Sequence, residues 1–394
     1  IVRLTTNNTA YLLLNGVAKA IVDDATIQSF NFPANALKTI DTVELRNYKI
    51  GPSIPSIAKI DGSPDDITRI EIMKSLAVMG RLLYDIHYIG EYMNPAVFKW
   101  NNRLMLVTGS NNGHANSKRT ENALLEFRWY NHTFLSFTDK EKYLGITTEE
   151  VDILNKKVYG EDPRVVVLSP EKFHVYYVYP FQALTRIGVV EVAINPLSGV
   201  AEVAMNNHDI HPILQFSMRH KNWAPFESKE KEVLLLQNIN PMIVVKPTIH
   251  PADGNLYADV VSESPAKEVN WPYGTIRGGT NAVLLEGRNE YLAFFHSKGT
   301  FAGNYMFSYV AGAYTFSGNA PYRLLKISAM PIMSEQFYTG AWSPMKTARI
   351  DYCFFPTSII LEGEEIIMSA GHQDHSGYIM KLKLQSVLDT MVSV

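Results

Sequence analysis

The sequence predicts an all-β fold: a five-bladed β-propeller behind a small N-terminal α+β preface. Three observations lead there. From about residue 67 onward, short apolar runs of strand length recur every ten to fifteen residues. Most are paired across short turns such as Trp100-Asn101-Asn102, Leu285-Glu286-Gly287-Arg288 and Leu361-Glu362-Gly363-Glu364. The runs also fall into about five similar blocks, near residues 85–138, 160–205, 215–262, 270–330 and 342–385. Blocks of about 45 to 60 residues, each a polar motif, a strand, a turn and a second strand, have the content of propeller blades. A β-sandwich is the competing all-β arrangement, but it rarely needs this many paired strands.

In chain order, residues 1–66 form the preface. Ala10 to Val22, AYLLLNGVAKAIV, predicts a hairpin turning at Asn15-Gly16, because Asn-Gly accepts the positive φ angles of a two-residue turn. Asp23-Asp24 before ATIQSF predicts a capped helical turn. The Pro- and Gly-rich stretch IGPSIPSIAKIDGSPDD, residues 50–66, reads as a connector. Residues 67–394 then carry the propeller. Its strands run from RIEIMKSL and RLLYDIHYI through AVFKWNNRLMLVTG, ALLEFRWY, RVVVLSP, KFHVYYVYP and GVVEVAI. They continue with EVLLLQNI, MIVVKPTI, NAVLLEG, EYLAFFH, MFSYVAGAYTF, SIILEGEEIIMSAG and YIMKLKL. Only DKEKYLGITTEEVDILNKK, residues 139–157, has helical spacing with a polar face.

Composition narrows the function classes. With 394 residues, 46% of them apolar, the chain can bury a sizeable core. The net charge is -3 and Lys and Arg form no long run, which argues against a nucleic-acid partner. No run of about 18 or more apolar residues occurs, so no membrane-spanning helix is expected. The single cysteine, Cys353 in DYCFFPTSIIL, reads as a buried strand residue. No Gly-x-Ser-x-Gly elbow, Walker loop or dinucleotide fingerprint is present, and no cofactor is expected. Asn7-Asn8-Thr9 and Asn131-His132-Thr133 match the glycosylation acceptor pattern, and the start at Ile1 suits a processed product. Both point to the secretory pathway or the extracellular space, with a cytoplasmic location left open.

Each block opens with a polar motif. The first has Asn94-Pro95-Ala96, and the second has Glu161-Asp162-Pro163-Arg164 followed by Arg186 in QALTRIGVVEVA. The third has Lys221-Asn222-Trp223, and the fourth has Arg277, Thr280 and His296 in YGTIRGGTNAVLLEGRNEYLAFFHS. The fifth ends with Asp374. An Asp and an Arg at the mouth of a strand pair occupy a usual place for chemistry on a β-scaffold. Each residue also has a plain structural role open to it. Asn94 could end a turn, Asp162 could pair locally with Arg164, Lys221 could lie over Trp223, and His296 could be a satisfied core histidine. The pairs His208/His211 and His372/His375 have metal-ligand spacing. They sit in loop-like sequence without cysteine partners, so no metal site is expected.

The Asn94-Pro95-Ala96 and Glu161-Asp162-Pro163-Arg164 elements, with Ala370-Gly371-His372-Gln373-Asp374 before a closing strand, resemble glycoside hydrolase family 130. That family comprises β-mannoside phosphorylases and hydrolases, with related β-1,2-mannosyltransferases; the resemblance spans roughly residues 90–390. It implies an inverting glycosyl transfer in which Asp162 is the general acid that protonates the glycosidic oxygen, directly or through a sugar hydroxyl. It further implies that Asn94, Arg164, Arg277 and Asp374 hold sugar. Arg186, Lys221 and His296 would hold phosphate or the phosphate of a donor. Arg164 opposes protonation of its neighbour, so in this reading it points away or holds substrate. The partner is then an oligosaccharide or glycan, the co-substrate inorganic phosphate or a sugar-phosphate donor, and an oligomer is compatible. Phosphorolysis needs one protein carboxylate, whereas an inverting hydrolase needs a second about 6.5–9.5 Å away.

Two departures bear on the reaction. LLLQNINP places Asn238 or Asn240 where many phosphorylases carry a His-Arg pair, and Arg277-Gly278-Gly279-Thr280 replaces the usual small-residue and Pro run. Both favour a glycosyl-transferring or divergent member over a plain phosphorylase. A second hypothesis is a non-catalytic glycan-binding or structural propeller that keeps the pocket without turnover. A third, a furanoside or fructan hydrolase, would need three separated acidic residues, of which only Asp162 and Asp374 stand out.

Overall fold

The computed structural model describes residues 2–7, 9–14, 17–21, 24, 27, 38–50, 83–90, 92–100, 103–110, 124–130, 148–150, 161–181, 184–194, 201–203, 208–212, 222–249, 256–300, 307–332, 352–372 and 376–394. These residues are almost all strand, and the fold is all-β. Among them no helix is long and apolar enough to cross a membrane.

At the N-terminus, β1 (Val2–Leu4), β2 (Ala10–Leu14), β3 (Val17–Ile21), β4 (Lys38–Ile40) and β5 (Lys49–Ile50) form a sheet ordered β4-β1-β2-β3-β5. The expected hairpin is there, with Leu14 opposite Val17 across Asn15-Gly16. Asp41 caps the short helix Thr42–Leu45, its Oδ1 accepting from the Val43 and Glu44 amides at 2.8 and 2.7 Å. Val2, Leu4, Ala18, Ile40 and Leu45 bury against one another as a core of this sheet's own. Of the expected turn after Asp23, Asp24 and Ile27 are helical. The rest of that turn, residues 51–66 and RIEIMKSL lie outside the described residues.

The next strand, β6 (Leu83–Gly90), pairs far along the chain. After it, five antiparallel groups follow among the described residues, the second joined to the third by a parallel pairing of 210–212 with 256–258 and the fourth to the fifth by one of 308–309 with 352–353. The first is β7 (Tyr92–Trp100), β8 (Arg103–Ser110), β9 (Leu124–Tyr130) and β10 (Thr148–Glu150). The second is β11 (Glu161–Ser169), β12 (Lys172–Phe181), β13 (Leu184–Ile194), β14 (Ala201–Val203) and β15 (His208–Pro212). The third is β16 (Ala224–Glu227), β17 (Val233–Asn238), β18 (Met242–Ile249) and β19 (Leu256–Ser264). The fourth is β20 (Thr275–Gly278), β21 (Val283–Leu285), β22 (Glu290–Thr300), β23 (Phe307–Ser317) and β24 (Leu324–Ser328). The fifth is β25 (Tyr352–Glu362), β26 (Glu365–His372) and β27 (Ser376–Lys383); β28 (Met391–Ser393) pairs β24. Strand β6 completes the fifth group by pairing antiparallel with β27, Tyr88 opposite Tyr378. A strand from the start of the expected first block therefore closes the last one.

Four apolar seams join these groups. Ala96, Phe98, Trp100, Met105 and Val107 pack on Val165, Phe173, Val175 and Val190, sealing the first group to the second. Tyr176, Val178, Ile187 and Val189 meet Leu235, Val245 and Leu256 between the second and third. One large cluster spans the third, fourth and fifth groups. Within it Phe226 makes edge contacts with Tyr291, Phe316 and Tyr322 at centroid distances of 5.0, 5.4 and 5.5 Å. Aromatic pairs of this kind contribute about 0.5–1.5 kcal/mol each beyond their buried area. Val97, Leu104 and Leu106 pack on Ile367 and Ile379, returning the fifth group to the first.

The helix expected over residues 139–157 is corrected where it is described. Thr148–Glu150 is strand, Thr148 lying opposite Tyr130 at the edge of the first group. A β-branched residue beside an open ladder gains more from edge pairing than from a marginal helix. Cys353 is buried on β25, as expected.

Candidate active site

Strands β7 and β11 begin with the same device. Proline has no N–H to give to the ladder, so pairing skips at Asn94-Pro95, between Met93 and Ala96, and at Asp162-Pro163, between Glu161 and Arg164. Asn94 has φ 44° and Asp162 has φ 53°. Left-handed backbone immediately before a proline is disfavoured, though Asn and Asp tolerate it best; such positions cost on the order of 1–3 kcal/mol each. The two bulges turn the side chains toward each other. Asn94 Nδ2 donates to Asp162 Oδ1 at 2.6 Å, with both residues buried.

The surroundings over-determine this pair. Thr357 Oγ1 donates to the Pro95 carbonyl, Ser358 Oγ to the Val97 carbonyl at 2.6 Å, and the Val97 amide to Ser369 Oγ at 3.0 Å. Gly371 on β26 lies so close to Asn94 Oδ1 that no Cβ fits between them. Arg164, two residues after Asp162, is only 2% exposed. Its Nε donates to the Gly279 carbonyl at 2.5 Å and its Nη1 to the Asp162 carbonyl at 2.9 Å. Its guanidinium carbon lies 5.9 Å from the centre of the Phe355 ring. Burial pulls the Arg164 pKa below its ordinary value, opposed by the Asp162 carboxylate.

The fourth group brings Arg277 and His296 to the same place, as cross-strand neighbours on β20 and β22. Gly278 presses on the Asn222 backbone and Gly279 on the Phe294 carbonyl, so neither position has room for a side chain. Asn222 Nδ2 lies 3.4 Å from His296 Nε2, and the His296 ring sits 4.5 Å from that of Phe355. Burial, then the charge of Arg164 and less so that of Arg277, lower the His296 pKa from 6.5 to about 3, against opposing pulls from the Asp162 carboxylate and a hydrogen bond with the Gly278 backbone. The imidazole is therefore neutral at physiological pH.

This has a consequence for stability. The unfolded chain protonates His296 below pH 6.5, while the folded chain does so only near pH 3. Its contribution is intact above pH 6.5 and is lost as pH falls toward 3, at about 1.4 kcal/mol per pH unit. Urea unfolding of wild type and His296→Asn at pH 7, 5.5 and 4.5 should show a steeper loss in wild type.

Among the described residues, four buried polar atoms in this cluster have no hydrogen-bond partner: Asn94 Oδ1, Arg164 Nη2, Asn222 Oδ1 and Arg277 Nε. Native proteins satisfy nearly all such groups, so a concentration of them at one point suits a polar ligand.

The structure thus brings together Asn94, Asp162, Arg164, Arg277 and His296. Arg186 lies on β13 opposite Tyr179. Lys221 and Asp374 lie outside the described residues, next to Asn222 and between β26 and β27 respectively. Asn238 and Asn240 serve their own turn: Asn238 donates to the Pro241 carbonyl, and Asn240 exchanges two bonds with Lys267 at 2.8 Å each. Sequence reasoning did not single out Asn222 or Phe355. Phe355 precedes Pro356 as Asn94 and Asp162 precede prolines, but there the ladder keeps both residues and skips Thr357 instead. A groove of about 790 Å³ at the other ends of β7 and β11 includes Lys99, Lys172 and Lys231. These lysines pair with Glu362, Glu191 and Glu227 at 2.6, 3.5 and 3.0 Å, so it is no match for the orphaned polar cluster.

No protein-family model matches the sequence, and no curated protein matches it. Solved structures do resemble it in fold. A candidate glycosidase of Bacteroides thetaiotaomicron superposes with TM-score 0.50 at 12% identity, over 77% of this chain and 92% of that one. A structure from the GH130 family of mannoside phosphorylases, which contains hydrolases of β-1,2-mannosidic linkages in Candida mannan, aligns with TM-score 0.47 at 13% identity, over 74% and 84%. The β-1,2-mannobiose phosphorylase of Listeria innocua aligns with TM-score 0.45 at 15% identity, over 77% and 92%. At these identities the likeness is one of fold.

Proposed function

We propose that this chain is a carbohydrate-active enzyme of the β-mannoside phosphorylase/mannosyltransferase type, inverting, with Asp162 as general acid. The observation that carries this reading is the buried Asn94–Asp162 pair, two left-handed residues before prolines held in contact at 2.6 Å. Strain held in place by its surroundings is characteristic of reactive sites. The scaffold we propose is a five-bladed propeller over residues 67–394 with residues 1–66 as a preface. The seams that lead from each group to the next and from the fifth back to the first support it. The first strands of the groups then deliver their polar motifs to one funnel.

In this reading sugar hydroxyls satisfy the orphaned acceptors Asn94 Oδ1 and Asn222 Oδ1 and the donor Arg277 Nε. Asp374, which follows β26, adds a further sugar contact. Among the described residues, with His296 neutral, Arg164 and Arg277 outweigh the Asp162 carboxylate by one positive charge. A phosphate held by His296, Arg186 and Lys221 offsets that excess. Its arrival also favours the protonated form of Asp162, loading the acid only when the nucleophile is present. Phosphate oxygen then forms a bond to the anomeric carbon from the α face as the β-glycosidic C–O bond breaks. The bonding pair leaves with the glycosidic oxygen, which takes the Asp162 proton directly or through a sugar hydroxyl.

One observation favours the non-catalytic reading. Asn238 and Asn240 bond to nearby backbone, so the described part of the third group supplies no cation to the cluster. Asn7 is exposed at the turn between β1 and β2, which suits an N-glycan and a secretory route. Incubation with a panel of β-mannosides, with and without phosphate, separates the readings. Phosphate-dependent sugar release is expected; no release with any glycan would leave transfer from an activated sugar donor or a binding protein.

A further inference from the structure

We infer that Arg164 is a positioning residue that holds Asp162 in its left-handed conformation and makes no contact with sugar; this rests on Asp162 being the acid. The guanidinium is committed to main chain on two sides. One acceptor is the Asp162 carbonyl itself, 2.9 Å away, at the point where the β11–β12 ladder passes over Asp162 and Pro163. Arg164 thus donates to the main chain where the ladder register shifts.

The other acceptor, the Gly279 carbonyl, is a fixed anchor. Gly279 is packed against Phe294, with the Thr280 amide donating to the Phe294 carbonyl at 3.0 Å and the Phe294 amide to Thr280 Oγ1 at 3.0 Å. Arg164 thereby ties the bulge of the second group to a rigid point of the fourth. Its planar fork reaches two carbonyls in different directions, which a lysine ammonium cannot reproduce from one position. The side chain is 2% exposed, and its remaining nitrogen, Nη2, is buried without a hydrogen-bond partner among the described residues.

Arg164→Lys and Arg164→Gln, each also combined with Asp162→Asn, test this. With a glycan that wild type turns over, Arg164→Lys should lower kcat about 10- to 100-fold, leave KM and sugar affinity within about twofold, and displace the acidic limb of the pH profile. In the Asp162→Asn background it should cost less than about twofold more, because a residue acting through Asp162 has nothing left to position. Sugar affinity falling as much as kcat, or losses that multiply, would overturn the inference. A crystal structure of Arg164→Lys reads the same point without activity. Asp162 should leave positive φ and part from Asn94; an unmoved pair overturns the inference. Wild type without turnover on any glycan would defeat the enzyme reading, and the crystal structure alone would then decide the role of Arg164. Wholesale unfolding of both single variants would make Arg164 a general strut and contradict a role confined to Asp162.

Discussion

Asp162→Asn should lower turnover by about 10²–10⁴-fold, the usual contribution of a positioned general acid. The substitution is nearly isosteric, and the new amide oxygen can still accept from Asn94 Nδ2, so the bulge geometry and the sugar contacts persist. What disappears is the proton for the departing glycosidic oxygen. Loss of the carboxylate also removes a negative charge from beside Arg164, Arg277 and a neutral His296, so phosphate should bind at least as tightly as to wild type. Steady-state kinetics with calorimetric titration of phosphate and sugar gives both quantities. A rate loss under tenfold would remove Asp162 from the acid role. A parallel collapse of affinity would make it a sugar ligand.

The second large effect is expected from Gly371→Ala. A Cβ at position 371 would occupy the space of Asn94 Oδ1, and the next nearest atoms are Asn94 Cγ at 2.9 Å and Asn94 Cα at 3.2 Å. All three belong to one residue, so Asn94 must rotate away and give up its bond to Asp162. Fold stability should fall by only about 1–3 kcal/mol, as for other overpacked sites. Turnover should fall about 100-fold, since a displacement near 1 Å in a catalytic pair is that costly. Urea denaturation and kcat measured on the same preparation separate the two effects. Wild-type turnover in a folded Gly371→Ala protein would show that the Asn94–Asp162 contact is dispensable.

Local patterns were legible in the sequence, and distant pairing was not. Asn15-Gly16 between alternating runs specified the hairpin, and apolar runs such as Leu234-Leu235-Leu236 marked strands buried on both faces. Strand β6 looked like part of the first block, because nothing in RLLYDIHYI says that its partner is β27. The site was partly readable for a related reason. Asn94-Pro95 and Asp162-Pro163 carry their bulges in the dipeptide itself, where proline interrupts the ladder. Asn222 stood beside a more conspicuous lysine, and Phe355 looked like one more apolar strand residue. The full burial of Arg164 was invisible as well, since its two acceptors are main-chain carbonyls that any sequence would supply.

The most direct test of the central claim is to follow a panel of β-mannosides with wild type by ¹H and ³¹P NMR in phosphate buffer. A new α-mannose 1-phosphate signal, growing in step with substrate loss and absent with Asp162→Asn, is the predicted result. Free mannose with no sugar phosphate would contradict phosphorolysis and require a second carboxylate, and an unchanged spectrum would contradict catalysis on β-mannosides altogether.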